Sequence, residues 1–443
     1  MDIERCGQVI VIGGGLAGAE AAWQAARRGV KVTLFEMRPD KNTAAHKTGL
    51  LGELVCSNSL RSKEAVTGPG LLKNELRMAE SLIMEAAREA EVSAGSALAV
   101  DRRIFAEYIT DKIEKHPLID VVKKEITELP STVSIIATGP LTSAPMAGAL
   151  LSLIGEEHLH FYDAIAPILD AESIDYSKVY ISSRYGKGGD DYVNCPMTRE
   201  EYDRFYDSLT EADTVTAREF EDARVFEGCL PVEIMAARGK DTLRFGPLKP
   251  VGLPYPGTGK TPYAVVQLRA ENREKTAYNM VGFQTRLKHP DQKRVFRMIP
   301  GLENAGFLRL GSIHRNTFIN SPRHLNPDLT LKCKDTLYIA GQISGVEGYI
   351  ESTSMGLIAG INAARRVSGL ETLYPPRSSA HGSLIAHITG SDPLNFQPSN
   401  INFGLMPADN GTQKIRDRKV KRMRIVDTAL QDWETYVKKV RVM

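Results

Sequence analysis

The fold is decided near the start of the chain by the stretch VIVIGGGLAG at residues 9–18. Four apolar residues run into glycines and then into an Ala-rich segment, which predicts a strand, a tight turn and a helix. Glycines let the backbone approach a pyrophosphate closely, and the first N–H groups of the helix then face its phosphates. A second apolar run, KVTLF at 31–35, is followed by an acid that is placed to accept hydrogen bonds from a ribose. We therefore predict a dinucleotide site made by Gly13, Gly14, Gly15, Gly18 and Glu36.

Length and composition limit the remaining possibilities. A chain of 443 residues exceeds one ordinary core, so we expect two domains or one domain with a large insertion. The apolar stretch at 9–26 contains four glycines and Glu20 and lacks the layout of a signal peptide, which favours a cytoplasmic protein. Five scattered cysteines, odd in number and without a CxxC pair, indicate neither a disulfide framework nor a metal site.

Two later segments extend the nucleotide site. The run VSIIATG at 133–139 is typical of a short strand that turns beside a dinucleotide, and TLYIAGQISGVEGYIES at 336–352 again leads through glycines into a helix. FAD needs contacts at both its adenine and its flavin end, so it explains this distribution better than NAD. An independent strand–helix turn in another sheet is the alternative. The additional candidate residues are Thr138, Gly139, Gly341, Gly345 and Gly348.

The intervening sequence mixes short β-like runs with a polar helical stretch at 199–209 and Pro/Gly-rich turns at 247–262. It contains no second GxGxxG, so a separate nicotinamide domain is not predicted. The predicted class is α/β: a Rossmann-like FAD-binding domain of the glutathione-reductase type with an α+β insertion. The predicted ranges are 1–174 for the first part of the FAD-binding domain, 175–326 for the insertion, and 327–443 for its completion with basic C-terminal helices.

The end of the chain is basic, with ten Lys/Arg against four Asp/Glu in residues 411–443. Apolar residues there recur at helical spacing and predict one apolar stripe on a helix. Either a docked terminal helix or a nucleic-acid clamp fits this pattern. The stripe consists of Val426, Leu430, Trp433, Val437 and Val440.

Two cysteines lie in segments that suit a reactive site. Cys56 is in ELVCSNSLRS at 53–62, a polar segment just after the first nucleotide-binding unit. Cys229 is in FEGCLPVE at 226–233, where the flanking Gly and Pro favour a turn. A buried structural role is the alternative for each thiol.

In these segments the sequence resembles the FAD- and folate-dependent tRNA (uracil-5-)-methyltransferases, which convert uridine 54 of the tRNA T-loop to ribothymidine. The resemblance covers essentially the whole chain. It rests on GGGLAGAEAA at 13–22, ELVCSNSLRS, FEGCLPVE, GYIESTSMGL at 348–357, NFQP at 395–398 and NINFGL at 400–405. Ser399 stands where some relatives have Met, a change that we do not expect to alter the chemistry.

The resemblance implies a division of roles between the thiols. Cys229 would add to carbon 6 of uracil and make carbon 5 nucleophilic, and Cys56 would remove the carbon-5 proton. Methylenetetrahydrofolate would donate the one-carbon unit and NAD(P)H the electrons. Asn58, Arg61 and Lys63 are candidates for contacts with the substrate phosphate or the folate glutamate.

Three alternatives stay open at this point. The same chemistry could act on a ribosomal RNA uridine, because no residue pattern identifies the RNA fold. A small-molecule flavin-dependent NAD(P)H oxidoreductase and a non-catalytic RNA-binding factor are the others. The two thiol segments favour the methyltransferase, since neither of the last two requires them. The residues leave the choice between NADH and NADPH undecided.

Overall fold

The protein was analysed as a computed structural model that describes residues 7–43, 45–155, 159–187, 189, 191–215, 230–407 and 417–441. The strands are β1 (Gln8–Ile12), β2 (Lys31–Glu36), β3 (Ser59–Ser62), β4 (Glu91–Val92), β5 (Ala97–Val100), β6 (Ile119–Lys123), β7 (Ser134–Ile136), β8 (Leu159–Ile165), β9 (Ile168–Asp170), β10 (Tyr180–Ile181), β11 (Tyr192–Met197), β12 (Ala264–Ala270), β13 (Ala277–Met280), β14 (Phe307–Arg309), β15 (Ser312–Phe318), β16 (Thr330–Leu331) and β17 (Lys334–Ile339).

The helices are α1 (Leu16–Ala26), α2 (Gly68–Met78), α3 (Leu82–Glu89), α4 (Arg102–Glu114), α5 (Ala144–Ile154), α6 (Arg199–Thr210), α7 (Val232–Ala237), α8 (Thr242–Phe245), α9 (His289–Phe296), α10 (Ser321–His324), α11 (Tyr349–Val367), α12 (Ala380–Gly390) and α13 (Arg418–Arg441).

The first sheet has the strand order β16-β17-β7-β1-β2-β6. All pairs are parallel except β16 with β17, so the strands β17, β7, β1 and β2 present their carboxyl ends at one edge. Ligands of open parallel sheets bind at that edge. The predicted strand, turn, helix and strand at residues 9–36 are confirmed, and β17 joins the sheet beside β7 although about 200 residues separate them.

Helices α1 and α11 pack against each other with unusually close backbones. Side chains at Gly356 and Gly360 would collide with the carbonyl groups of Ala17 and Ala21, respectively. Both helices are therefore buried along most of their length, and the start of α11 lies beside the glycines that precede α1.

The second sheet is antiparallel, with the order β10-β11-β12-β13-β9-β14. One of its faces is covered by α6, α7 and α9, and the core between them contains Phe205, Phe283 and Phe296. An α/β fold with an α+β insertion is thus confirmed. The domain boundaries stay predictions, although β9 at Ile168–Asp170 already belongs to the second sheet.

The terminal helix α13 is docked through its apolar stripe. Trp433 is fully buried, donates its Nε1–H to the Glu75 carbonyl at 2.7 Å and stacks on His381 with ring centroids 4.1 Å apart. This geometry agrees with a docked helix. Within the part of the chain that the structure describes, no helix combines the length and apolar character needed to cross a membrane.

Replacement of Gly356 by Ala is expected to lower the free energy of unfolding by about 1–3 kcal/mol, because the added methyl group forces α1 and α11 apart. Chemical denaturation measures this change. The matched control is Gly148→Ala, on an exposed face of α5 with nothing within 4 Å of the added Cβ, which should be neutral or stabilising by about 0.5–1 kcal/mol. Equal effects of the two variants would contradict the close packing.

Candidate active site

A deep cleft, here called the nucleotide cleft, lies at the carboxyl ends of the parallel strands. Its walls come from the turn after β1, the end of β2, the segment after β7 and the start of α11. The predicted residues that line it are Gly13, Gly14, Gly15, Glu36, Thr138, Gly139 and Gly341. Two stretches that lie about 200 residues apart in the sequence thus meet in one site.

The turn after β1 presents backbone rather than side chains to the cleft. Gly13 has φ +104°, and a Cβ there would lie 2.5 Å from the Ala137 carbonyl oxygen. Gly15 precedes the first residue of α1, and a Cβ at this position would meet no atom within 4 Å. The first turn of α1 carries no acidic residue, so the positive end of the helix is available to an anion.

Glu36 is buried and its carboxylate accepts four hydrogen bonds. The donors are the Gly14 N–H at 2.8 Å and, from Arg38, the backbone N–H at 3.0 Å, Nε at 3.0 Å and Nη2 at 3.1 Å. Burial alone would raise the pKa of Glu36, but the bonds and charge of Arg38 hold this pKa below its ordinary value of 4.5. Four bonds occupy the lone pairs of a carboxylate, so a ribose hydroxyl would have to replace one of these donors to bind Glu36, and its predicted contact with a ribose stays a prediction.

A second cavity, the thiol chamber, opens beside the nucleotide cleft. It has a volume of about 290 Å³. The two cavities share five lining residues, namely Val55, Pro140, Leu141, Gln342 and Tyr349. The other polar residues that line the thiol chamber are Cys56, Ser57, Ser59, Arg61, Arg269, Asn279, Gln284, Glu347 and Glu351. A group bound at the inner end of the cleft therefore adjoins the chamber that contains Cys56.

The backbone of Cys56 is fixed by side chains from three distant elements. Its carbonyl oxygen accepts hydrogen bonds from Arg102 Nη2 at 2.9 Å and Arg309 Nη2 at 3.0 Å, and its N–H donates to the Tyr349 hydroxyl at 2.8 Å. Arg102 also pairs with Glu271. Nearby cations favour the thiolate form of a cysteine.

Two further arginines give the chamber its charge. Arg269 is 6% exposed, and burial lowers its pKa. Burial also lowers the pKa of Arg309, and the charge of the neighbouring Arg102 lowers it further. Arg61 lines the chamber, with its guanidinium 3.5 Å from the buried Glu351. The sequence drew attention only to Arg61, because the other arginines are close to Cys56 in space and distant in the chain.

Several predicted residues have other partners in the structure. Asn58 is fully buried: it donates to the carbonyls of Val100 and Ala270, accepts from Arg269 Nε, and lines neither cavity. It therefore orients Arg269 instead of facing a ligand. Lys63 pairs with Glu91 at 2.9 Å on the surface.

Two predicted glycines, Gly18 and Gly345, pack behind the residues that line the two cavities. Gly18 packs on the Gly13 carbonyl, and a Cβ on Gly345 would lie 2.5 Å from the ring of Phe396. Gly348 lines the thiol chamber.

Cys229 lies outside the described residues. The described chain resumes at Leu230, and the Val232 N–H donates to the Gln284 carbonyl at 2.7 Å. Gln284 lines the thiol chamber. Val232, three residues after Cys229 in the sequence, is thus hydrogen-bonded to a residue that lines the thiol chamber.

Known proteins share this sequence over nearly its full length. A methylenetetrahydrofolate–tRNA-(uracil-5-)-methyltransferase TrmFO of Desulfotalea psychrophila is 57% identical over 96% of this chain and 97% of that protein. The TrmFO of Natranaerobius thermophilus is 56% identical over 98% and 99%, respectively. The chain belongs to the TrmFO family. Residues 8–371 also match the broader family described as glucose inhibited division protein A.

Solved structures support the same fold. GidA of Aquifex aeolicus in crystal form II has a TM-score of 0.72 with 19% identity, covering 98% of this chain and 74% of that chain. Crystal form I gives a TM-score of 0.70 with 18% identity. At this level of identity the similarity establishes the fold alone.

Replacement of Glu36 by Gln is expected to destabilise the protein by about 2 kcal/mol at neutral pH, because an amide cannot accept all four hydrogen bonds. The pKa of Glu36 is lowered on folding, so its contribution is present above the ordinary value of 4.5 and is lost as the pH falls through the native-state value. The difference between wild type and variant should therefore shrink at acidic pH in urea titrations. Glu172→Gln, on an exposed residue, is the control. If the difference in free energy of unfolding between wild type and Glu36→Gln stayed constant with pH, the lowered pKa of Glu36 would be refuted.

Proposed function

We propose that this chain is a folate-dependent methyltransferase that converts a tRNA uridine, uridine 54 of the T-loop, to 5-methyluridine. Membership of the TrmFO family supports the reaction class. The observation that carries the proposal is the direct junction of the nucleotide cleft with the chamber of Cys56. Such a junction suits an enzyme in which a thiol acts beside a redox cofactor.

The nucleotide cleft fits FAD. The open face of Gly15 and the N-terminus of α1 would hold the pyrophosphate, and Glu36 with Arg38 would hold the adenosine ribose. Thr138, Gly139 and Gly341 would line the remaining wall. When bound, FAD supplies the two-electron redox chemistry that a folate methylene needs to become a methyl group.

The two thiols have different roles in this proposal. The Cys229 thiolate adds to carbon 6 of uracil, and the electron pair of the carbon 5–carbon 6 double bond moves toward the carbon-4 carbonyl, which makes carbon 5 nucleophilic. Carbon 5 then forms a bond to the one-carbon unit. Cys56 removes the carbon-5 proton, and the electron pair of that C–H bond forms a double bond to the one-carbon unit as this unit separates from its carrier. A hydride equivalent that derives from NAD(P)H reduces the methylene to methyl, and the carbon 5–carbon 6 double bond forms again as the carbon 6–sulfur bond breaks. Arg102 and Arg309 hold the Cys56 backbone in place, and Arg61 faces the chamber as an anion contact.

Methylenetetrahydrofolate is the one-carbon donor and NAD(P)H the electron donor in this proposal, and the expected location is the cytoplasm. A ribosomal RNA uridine is the second candidate substrate. A small-molecule NAD(P)H oxidoreductase agrees less well with the family, whose named members act on tRNA. The deciding experiment incubates the purified protein with unmodified tRNA, methylenetetrahydrofolate and NAD(P)H, and measures 5-methyluridine by mass spectrometry. Product on ribosomal RNA alone would contradict the tRNA assignment.

Gly15→Val should abolish the yellow colour of the purified protein, because the new side chain fills the space assigned to the pyrophosphate. Flavin absorbance per protein measures the loss. Gly390→Val is the control, since it adds the same side chain to a glycine that also faces open space at the end of α12. Stoichiometric flavin in the Gly15→Val protein would show that the cofactor lies elsewhere.

Cys229→Ala should eliminate both 5-methyluridine and any protein–RNA adduct that survives denaturation. Cys56→Ala should also lose turnover, but its adduct with RNA should form and accumulate as a slowly migrating band. Cys333→Ala, at an exposed surface thiol, is the control and should behave as wild type. All three variants should keep their flavin.

A Cys229→Ala protein that still makes product at a rate near wild type would remove that residue as the nucleophile. An adduct that persists in that protein would instead assign the nucleophile to Cys56.

A further inference from the structure

The thiol chamber contains a buried hydrogen-bond donor without a partner. Asn279 is 2% exposed, and its Nδ2 makes no hydrogen bond within the described part of the chain. The residue lines the thiol chamber. An unpaired buried amide N–H group costs free energy comparable to a lost hydrogen bond, so a bound water or ligand is expected to supply an acceptor to it.

The position of Asn279 ties it to the charged wall of the chamber. It lies on β13 directly opposite Arg269 on β12 in antiparallel register, so both side chains project from the same face of the sheet. Arg269 is held by Asn58, and Cys56 lines the same chamber. Asn279 is therefore held on a fixed strand, next to a fixed cation.

Glu351 supplies a second buried atom of this kind. Its Oε2 makes no hydrogen bond with the described residues, and Glu351 also lines the chamber. Among the fully buried side-chain atoms of the described chamber residues, those without a partner are thus Asn279 Nδ2 and Glu351 Oε2. An amide N–H donor pairs with a ring carbonyl, which both uracil and the pterin of a folate carry.

We propose that Asn279 donates a hydrogen bond from Nδ2 to a ring carbonyl of a heterocyclic substrate in the thiol chamber. The inference rests on the proposed function. If the ring is uracil, the carbonyl is that of carbon 4. Thiolate addition forms the sulfur–carbon 6 bond, moves the π electrons of the carbon 5–carbon 6 bond toward carbon 4 and leaves negative charge on its oxygen, where the Asn279 donor becomes stronger. If the ring is the pterin, Asn279 contributes to folate binding.

The test compares Asn279→Leu and Asn279→Asp with wild type. Leu has a similar size and carries no donor, so kcat/KM should fall on the order of 10²-fold, which is typical for loss of a donor to a developing oxyanion. The free energy of unfolding should stay equal or rise, because an unpaired polar group has been removed. A residue with a purely structural role would lose stability together with activity.

Separate measurements identify the ring. The carbonyl belongs to the base if the variant has a higher KM for tRNA, or a lower kcat together with loss of the denaturation-resistant adduct. It belongs to the pterin if only the KM for methylenetetrahydrofolate rises. For the base, Asn279→Asp should also raise the relative reactivity of tRNA with cytidine at the target position, because the cytidine amino group needs an acceptor. Asn272→Asp, the same change in the turn of the same hairpin, is the control and should leave all values unchanged.

Asn279→Leu protein whose kcat/KM for both substrates stays within about twofold of wild type would overturn the inference, as would joint loss of stability and activity. An inactive wild-type protein contradicts the proposed function and this inference with it. An active wild type with an unaffected Asn279→Leu variant contradicts only the role of Asn279.

Discussion

The close contact between α1 and α11 is the constraint on which the site depends. Gly356 and Gly360 allow the backbone of α11 to reach that of α1, and this contact places the start of α11 against the glycine turn after β1. Strand β17 pairs with β7 just before α11, so the same arrangement extends the sheet. A wider separation of the helices would move Gly341 and Tyr349 away from the cleft, and the two cavities would lose shared walls.

The second sheet contributes the charge that the first lacks. The nucleotide cleft relies on backbone N–H groups and a helix N-terminus, whereas the thiol chamber is lined by Arg269 of β12, and guanidinium groups from β14 and the start of α4 bind the Cys56 backbone. Glu271, which pairs with Arg102, offsets part of this charge. The Cys56 segment lies where the two sheets meet, and arginines on either side bind its carbonyl groups. Its geometry therefore depends on both sheets being folded.

The parts of this site that the sequence predicted are those with a local signature. Glycines at 13–18 and the acid at the end of β2 follow one another at fixed spacing, so the nucleotide cleft was expected in detail. Arg102, Arg269 and Arg309 reach Cys56 only through long-range packing, and a single sequence carries no mark of it. Asn58 was predicted to contact substrate, yet it lies just before β3 and its amide is buried, where it bonds to the Val100 and Ala270 carbonyls. Cys229 lies outside the described residues, so its role stays a prediction.

A comparison of two asparagines shows what the folded structure adds. Asn58 and Asn279 are both buried near Arg269. The amide of Asn58 donates twice and accepts once, so its hydrogen-bonding capacity is used within the protein. Asn279 Nδ2 has no partner among the described residues, and in our proposal a ligand offsets the cost of its desolvation by supplying an acceptor. The residue type and its burial are the same in the two cases. Asn58 supports Arg269, whereas we assign ligand recognition to Asn279. Only the unpaired donor of Asn279 distinguishes the two residues, and the hydrogen-bond partners of the buried polar atoms reveal it.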